Sequence, residues 1–319
     1  MHPKPRHLTI LLLAASCLFG QAAPPTAAGT PLSQGQIRDL IRQAAENDMA
    51  NDKASRDYSY VQRETERKLN GKGNVQSTET RTYDVLMLYG EAVRRQIAKN
   101  GQPLSPKDAA REEEKLQKII DKRKNEDEGD RRKRLDKEEK DREQDREFVK
   151  EIADAYNFRF DGLESYEGRP TYVIDADPRP GYEPHGKNAR FLPDFRFRVW
   201  LDEQAKEWVK LDIQCIDTVS VGLFLARVHK GSNIQIEQTR VNDEVWLPRH
   251  VALKLDARIA LFKGVNIAEE ANYSDYKKFR TDTKILPAGI TQQQQPQQQQ
   301  IQQQPQQQTQ QQQDDEKQK

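Results

Sequence analysis

Between residues 195 and 215 apolar and polar positions alternate with a period of two. Phe195, Phe197, Val199 and Leu201 are apolar at the odd positions, and Arg196, Arg198 and Trp200 point the other way. After a turn at 202–207, Val209, Leu211, Ile213 and Cys215 continue an apolar face opposite Trp208, Lys210, Asp212 and Gln214. Successive side chains of a strand lie on opposite faces, so this stretch reads as an amphipathic hairpin with Trp200 and Trp208 together on its polar side. A longer strand follows, in which Val251, Leu253, Leu255, Ala257, Ile259 and Leu261 alternate with Ala252, Lys254, Asp256, Arg258 and Ala260. Strand patterns run almost unbroken over 158–285. Three more precede them in "DYSYVQRETERKL", "NVQSTETRTYDVLMLYG" and "AVRRQIAKNGQPL". The first two are joined at Asn70-Gly71, a hairpin signal because both residues tolerate positive φ.

Helical spacing appears at two places. Over 33–50 a capping box of Ser33 and Gln36 precedes Ile37, Leu40, Ile41, Ala44, Ala45 and Met49 on one stripe. Near 148–157, Phe148, Val149, Ile152, Ala153 and Tyr156 form the apolar end of a long charged stretch. That stretch, 106–147, has Leu135 as its only apolar residue between Ile120 and Phe148, and its Glu and Lys or Arg residues recur three or four apart. It reads as a solvated helical hairpin or a partly disordered insertion, broken near Gly129, that docks only by its last turns. It lacks the a and d residues of a coiled coil. On this reading residues 108–145 are dispensable for folding, because their removal takes away hardly any apolar surface.

Long strands with one apolar face and few helices to cover them predict an α+β fold: a strongly curved antiparallel sheet, an open half-barrel, wrapped around a few helices. Two short helical stripes are a small plug for such a sheet. The concave face is then either a filled core or a hydrophobic cleft. Phe195, Phe197, Val199, Leu201, Val209, Leu211, Ile213, Leu253, Leu255 and Ile259 are the candidate cleft lining. Trp200 and Trp208 read as a cross-strand pair on the outer face, or as a contact site for a partner or the charged arm.

The ends of the chain differ in composition. Lys4 and Arg6, the apolar run from Leu8 to Phe19, and Gly20-Gln21-Ala22 read as a signal peptide over 1–22, followed by a linker at 23–32. Cleavage before a lipidated Cys17 is the alternative, and would anchor the chain to a membrane. The open-barrel domain is assigned to 33–288. Residues 289–319 read as a disordered tail, with 19 glutamines among the last 29 residues. The expected location is exported and periplasmic. No apolar run is long enough for a transmembrane helix.

The chain is 34% hydrophobic and 32% charged, with 52 basic and 51 acidic residues. Without Lys4 and Arg6 the balance is 50 to 51, a net of −1, which argues against nucleic acid or anionic lipid as a partner. Cys215 is the one cysteine beyond the signal and reads as a buried, inert thiol. His185, His229 and His250 form no metal-ligand spacing. Asp175 and Asp177 fit a solvated turn better than a catalytic carboxylate pair. No GxSxG elbow is present, and Gly71-Lys72-Gly73 lacks the spacing of a phosphate loop. Neither an enzyme nor a cofactor is expected.

In the order of its elements the chain resembles the LolA/LolB-like superfamily, the periplasmic carriers of outer-membrane lipoproteins and their relatives, including sigma-factor regulators of the RseB type. The resemblance covers most of 33–285 and rests on an exported chain and an N-terminal helix leading into "YSYVQRETER". It rests also on the "VWLDEQAKEWVKLD" hairpin, the "VNDEVWLP" turn into a long strand, and a closing "NYSDYKKF". It implies an eleven-stranded open barrel with helices across its mouth that binds acyl chains without catalysis. The expected partner is a hydrophobic or acylated ligand, a lipid or lipoprotein acyl chain, with an envelope protein as a further possibility. The charged insertion and the glutamine tail depart from the compact family pattern. The alternative function is a periplasmic scaffold or envelope-stress regulator with a filled core and no ligand.

Overall fold

The computed structural model describes residues 31–89, 91–185, 189–221, 226–259 and 263–278. The signal peptide, Cys17, most of the linker and the glutamine tail lie outside the described residues. The chain opens with helix α1 (Gln34–Ser55) and strands β1 (Tyr58–Leu69), β2 (Val75–Leu88), β3 (Glu91–Lys99) and the short β4 (Gln102–Pro103). Helices α2 (Pro106–Lys124) and α3 (Glu128–Ala155) follow. Then come β5 (Tyr156–Tyr166), β6 (Arg169–Pro178), a 3-10 turn (Ala189–Asp194), β7 (Phe195–Asp202) and β8 (Trp208–Cys215). The chain continues through β9 (Val219–Val221), β10 (Ala226–Val228), β11 (Asn233–Val241), β12 (Val245–Ile259) and β13 (Lys263–Lys278).

All thirteen strands belong to one antiparallel sheet, open and curved, with helices against it. Eleven of them lie in the order β4-β3-β2-β1-β13-β12-β11-β8-β7-β6-β5, and β9 and β10 pair beside β12. Thus β4 and β5 are the two ends of that series, and α2 and α3 form the connection between them. The charged stretch is therefore a crossover between the two end strands of that series. It is not an appendage inserted into a loop.

Helix α1 starts at the capping box read from the sequence, Ser33 accepting from Gln36 and Gln36 reaching back to the Ser33 backbone. Ile37, Ile41 and Ala44 are its buried stripe. Three side-chain amides tie it across the sheet. Phe158 N donates to Gln34 Oε1 at 3.3 Å while Gln34 Nε2 donates to Phe158 O, so one amide occupies both outward backbone groups of a residue on edge strand β5. Asn47 Nδ2 donates to the carbonyls of Ala205 and Lys206 at 3.0 and 3.1 Å. Asn51 donates to Trp246 O and accepts from Trp246 N, both at 2.7 Å. The sheet-facing polar positions of α1 act as mortises rather than as ligands.

Three details differ from the pattern reading. The β1–β2 hairpin turns through Asn70–Asn74, with Asn70 Oδ1 accepting from Lys72 N and Asn74 N, and the positive φ falls on Gly73 (82°) rather than on the Asn-Gly pair. The break in the charged stretch lies at 125–127, where Asp127 caps α3. Most consequentially, α2 is not solvated all round. Leu116 is buried against Leu88 and Val93, with Leu86, Ile119 and Ile120 packed beside them. Leu86 pairs with Val93, whereas Val85 pairs with Tyr60 and faces the other side, so α2 covers the face of the β2–β3 edge opposite the one Tyr60 occupies. Ion pairs frame this contact, Arg95 with Asp84 (2.7 Å) and Glu113 (3.0 Å), and Arg123 with Glu91 (2.6 Å).

Candidate functional site

A cavity of about 550 Å³ lies between the helices and the sheet. Helix α1 contributes Ile41, Ala44, Ala45 and Asp48 to its wall, and α3 contributes Phe148, Val149 and Ile152. The floor is the inner face of β7, β8 and β11: Phe195, Phe197, Val199, Leu201, Trp208, Leu211, Ile213 and Ile234. Tyr156 and the 3-10 turn residues Phe191 and Leu192 close one end. The Tyr156 hydroxyl donates to the carbonyls of Leu192 (2.8 Å) and Phe195 (3.1 Å) and its ring meets Phe197 edge-on at 4.7 Å, so this end is held rigidly. A volume of this size falls in the range of ligand pockets, about 300–1,000 Å³. Asp48 is the one charged residue of the wall.

Six of the ten candidate lining residues, Phe195, Phe197, Val199, Leu201, Leu211 and Ile213, are brought together in this wall. The other four are placed elsewhere. Val209 is buried at a bulge of β8. Leu253 and Leu255 sit half-buried on β12, the strand beyond Ile234. Ile259 is 45% exposed near the far end of that strand.

The tryptophans are not a pair. Along β7 and β8, Val199 lies opposite Leu211 and Trp200 opposite Lys210, but Leu201 lies opposite Trp208, so Val209 is an extra residue in the ladder. A bulge of one residue reverses the facing of everything beyond it. Trp208 therefore turns into the cavity beside Leu201, and its Nε1 donates to Asp48 at 2.8 Å. Trp200 stays on the outer face, donating to Glu164 at 2.8 Å with Lys210 over its ring. Strict alternation put both on one side. The signal that the phase breaks is the turn itself, where Asp202 N donates to Glu207 O and Asp202 Oδ1 accepts from Gln204 N and Ala205 N. Asp48, Phe191, Leu192 and Ile234 were also missed: Asp48 lies off the apolar stripe of α1, Phe191 and Leu192 lie on a 3-10 turn within a stretch read as strand, and Ile234 lies on a strand not singled out.

The same face continues past the cavity and changes character. Following register partners, Leu211, Ile236, Val251, Ala271, Glu64 and Arg81 form one row, and Ile213, Ile234, Leu253, Glu269, Glu66 and Glu79 the next. Each row is aliphatic through β12 and charged from β13 or β1 onward. Glu64 pairs with Arg94, whose guanidinium lies 3.9 Å over Tyr83, and Glu79 pairs with Lys99 at 3.0 Å. Burial, together with the charges of Glu64 and Glu66, pushes the Glu269 carboxyl above its ordinary range.

The opposite face of β5–β8 carries a second concavity of about 450 Å³ lined by Arg159, Asp175, Asp177, Arg196, Arg198 and Trp200. Most of its charges are paired within it, whereas Asp212 on the same wall accepts from Gln235 Nε2 at 3.1 Å and keeps a buried Oδ1 without a partner among the described residues. Arg198 meets Asp175 at 2.6 Å and Asp161 at 2.9 Å, Arg196 meets Asp177 at 3.3 Å, and Arg159 bridges Asp161 and Asp175. Asp175 and Asp177 thus lie within β6, each opposed by arginine, rather than in a solvated turn. Cys215 is buried, its Sγ 2.9 Å from Asp217 O, and burial pushes its thiol up, which keeps it from being a ready nucleophile. Among the described residues no group of three or more His, Cys, Asp or Glu could hold a metal, and no helix is long and apolar enough to cross a membrane.

No family model and no curated protein matches the sequence. Several solved structures are similar in fold. An outer membrane lipoprotein-sorting protein domain from Vibrio parahaemolyticus is 14% identical, over 76% of this chain and 95% of that one, with a TM-score of 0.31. The LolA superfamily protein NE2245 from Nitrosomonas europaea is 9% identical over 76% and 93%, with a TM-score of 0.27. The Pseudomonas aeruginosa MucA/MucB complex contains a chain 11% identical over 74% and 93%, with a TM-score of 0.20. Likenesses this distant concern the fold alone.

Proposed function

We propose that this is an exported, non-catalytic binding protein that carries or senses a hydrophobic or acylated ligand in the cavity between α1, α3 and the β7–β8–β11 floor. One observation carries the reading: the cavity wall is apolar apart from Asp48, the Trp208 N–H that Asp48 accepts, and the Tyr156 hydroxyl, which is bound to backbone carbonyls. A space of several hundred cubic ångströms lined in this way has nothing with which to perform chemistry and much with which to desolvate an alkyl chain. Burying a chain contributes roughly 0.8 kcal/mol per methylene. Export is supported by the N-terminal sequence pattern.

The test uses N-phenyl-1-naphthylamine, an uncharged dye that brightens in apolar surroundings, and a diacylated lipopeptide as its competitor. The dye is expected to bind saturably at micromolar levels, about −8 kcal/mol, and to be displaced by the lipopeptide. Leu211→Arg is expected to abolish binding with little loss of stability, because a charge on an open cavity wall can remain hydrated whereas one in a packed core cannot. Absence of saturable binding by the wild type, together with unfolding of Leu211→Arg, would replace the carrier with a scaffold whose core is filled.

A further inference from the structure

The capacity of the cavity is set by how its walls are attached. Helix α1 is pinned to the sheet along its length, by Gln34 on Phe158, Asn47 on the carbonyls of Ala205 and Lys206, and Asn51 on Trp246. Helix α3 ends at Ala155 and β5 begins at Tyr156, so no loop separates the second wall from the sheet. Arg42 of α1 meets Asp154 of α3 at 3.4 Å. Tyr156, bonded to the carbonyls of Leu192 and Phe195, closes one end. Walls tied in this way cannot part for a larger guest without breaking these hydrogen bonds. The inner face outside the cavity adds little room. Ile236, Val251 and Leu253 continue it through β12, but Glu269 on β13 and Glu64 and Glu66 on β1 follow. With strands about 4.8 Å apart, that strip is narrow, and a chain lying on it keeps its outer side in water.

We propose that the cavity holds a single alkyl chain, and that its ligand class is therefore the amphiphile with one tail. This rests on the reading of the cavity as a ligand site. A methylene group takes roughly the room of one water in the liquid, ~30 Å³, so a cavity of about 550 Å³ accommodates about 18 of them. Two chains of sixteen carbons would need roughly 960 Å³ on the same measure, and the pinned walls do not supply it. The tail lies along Trp208, Leu201, Val199 and Leu211, and the head group stays in water. A lipid with two or three chains enters by one tail only and gains nothing from the others.

The experiment displaces N-phenyl-1-naphthylamine from the full chain with a series of lysophosphatidylcholines, saturated tails of ten to twenty-two carbons, each below its micellar concentration. Native mass spectrometry counts the bound lipid. The head group is the same throughout, so the tail alone varies. Affinity is expected to rise about fourfold per added methylene up to a tail of about 18 carbons, and by less than about twofold per methylene beyond it. One lipid per protein is expected at saturation by the sixteen-carbon member. Ala45→Leu adds three carbons to the cavity wall. It is expected to bring the break to a tail about three carbons shorter, each carbon of the side chain taking the room of one in the ligand. If that variant does not fold, the wild-type break and stoichiometry decide the matter. Affinity that climbs evenly through twenty-two carbons, two sixteen-carbon lipids on one protein, or a break that Ala45→Leu leaves in place would overturn the single-chain capacity and leave the apolar cavity standing. Failure of every member to displace the dye would overturn both.

Discussion

Arg169→Ala lowers the melting temperature by roughly 6–12 °C at pH 7, the loss of about 3–4 kcal/mol expected when one partner of a buried ion pair is removed. The target is Asp202, 1% exposed at the end of β7 and bound by Arg169 Nε and Nη2. Burial alone would push this carboxyl up. The Arg169 guanidinium and the N–H groups of Ala205 and Gln204 outweigh burial and hold it below the ordinary carboxylate value. A depressed carboxyl contributes stability above its unfolded-state pKa of about 3.9 and loses it as pH falls through the folded value. Without Arg169, burial wins and Asp202 favours its protonated form, so the gap between variant and wild type should narrow between pH 7 and pH 4. Asp202→Asn placed on Arg169→Ala should recover part of the loss, since a neutral amide oxygen still accepts the two turn N–H groups. Thermal unfolding of the three proteins at both pH values measures this. A shift under 2 °C at pH 7 would show that water reaches Asp202 and that the pair is a surface contact.

The effect concerns more than stability, because the turn that Asp202 organises sets the phase of β8. Its Oδ1 gathers Gln204 and Ala205, its N–H reaches Glu207 O, and Asn47 of α1 binds the same turn from above. The bulge at Val209 follows, and with it the inward Trp208 and its bond to Asp48. The buried ion pair therefore positions the cavity's polar end.

Much of this was legible in the chain. The alternation in Phe195–Leu201 names four cavity residues because a central strand with no bulge keeps its phase along its whole length. The apolar stripe of α1 named its lid, and the capping box its start. What the alternation could not show was a single extra residue. Val209 is apolar and in step with Leu211, so nothing in the order of residue types marks it as the bulge, and only the pairing of Leu201 with Trp208 does. Similarly, Leu253 and Leu255 have the same pattern as the cavity wall. They miss it because α1 meets β12 at Trp246, near the start of that strand, where Asn51 holds it, and Leu253 and Leu255 lie seven and nine residues further along.

The charged crossover gives the last and largest expected effect. Replacing residues 108–145 with a short Gly/Ser linker should cost roughly 3–6 kcal/mol and produce soluble oligomers, contrary to what composition alone implies. Three apolar side chains, Leu116, Ile119 and Ile120, leave the face they cover, at about 1.5–3 kcal/mol for each fully buried one, less the fraction already exposed. Leu86, Leu88 and Val93 are then bared on a sheet edge, where an uncovered apolar strand recruits other chains. The linker must also join β4 to β5, the two ends of the eleven-strand series, a span now bridged by helices of 19 and 28 residues. Two point variants separate these causes from mere loss of charge. Leu116→Ala should cost about 2–4 kcal/mol because its side chain is buried. Leu135→Lys, at a position 44% exposed in the middle of α3, should be neutral within about 0.5 kcal/mol. Urea unfolding with size-exclusion chromatography reads all three. A monomeric deletion variant with unchanged midpoint, alongside a neutral Leu116→Ala, would return the crossover to a solvated arm. The opposite result makes α2 a structural cover for the β2–β3 edge and leaves the distal part of α3 as the portion free for other partners.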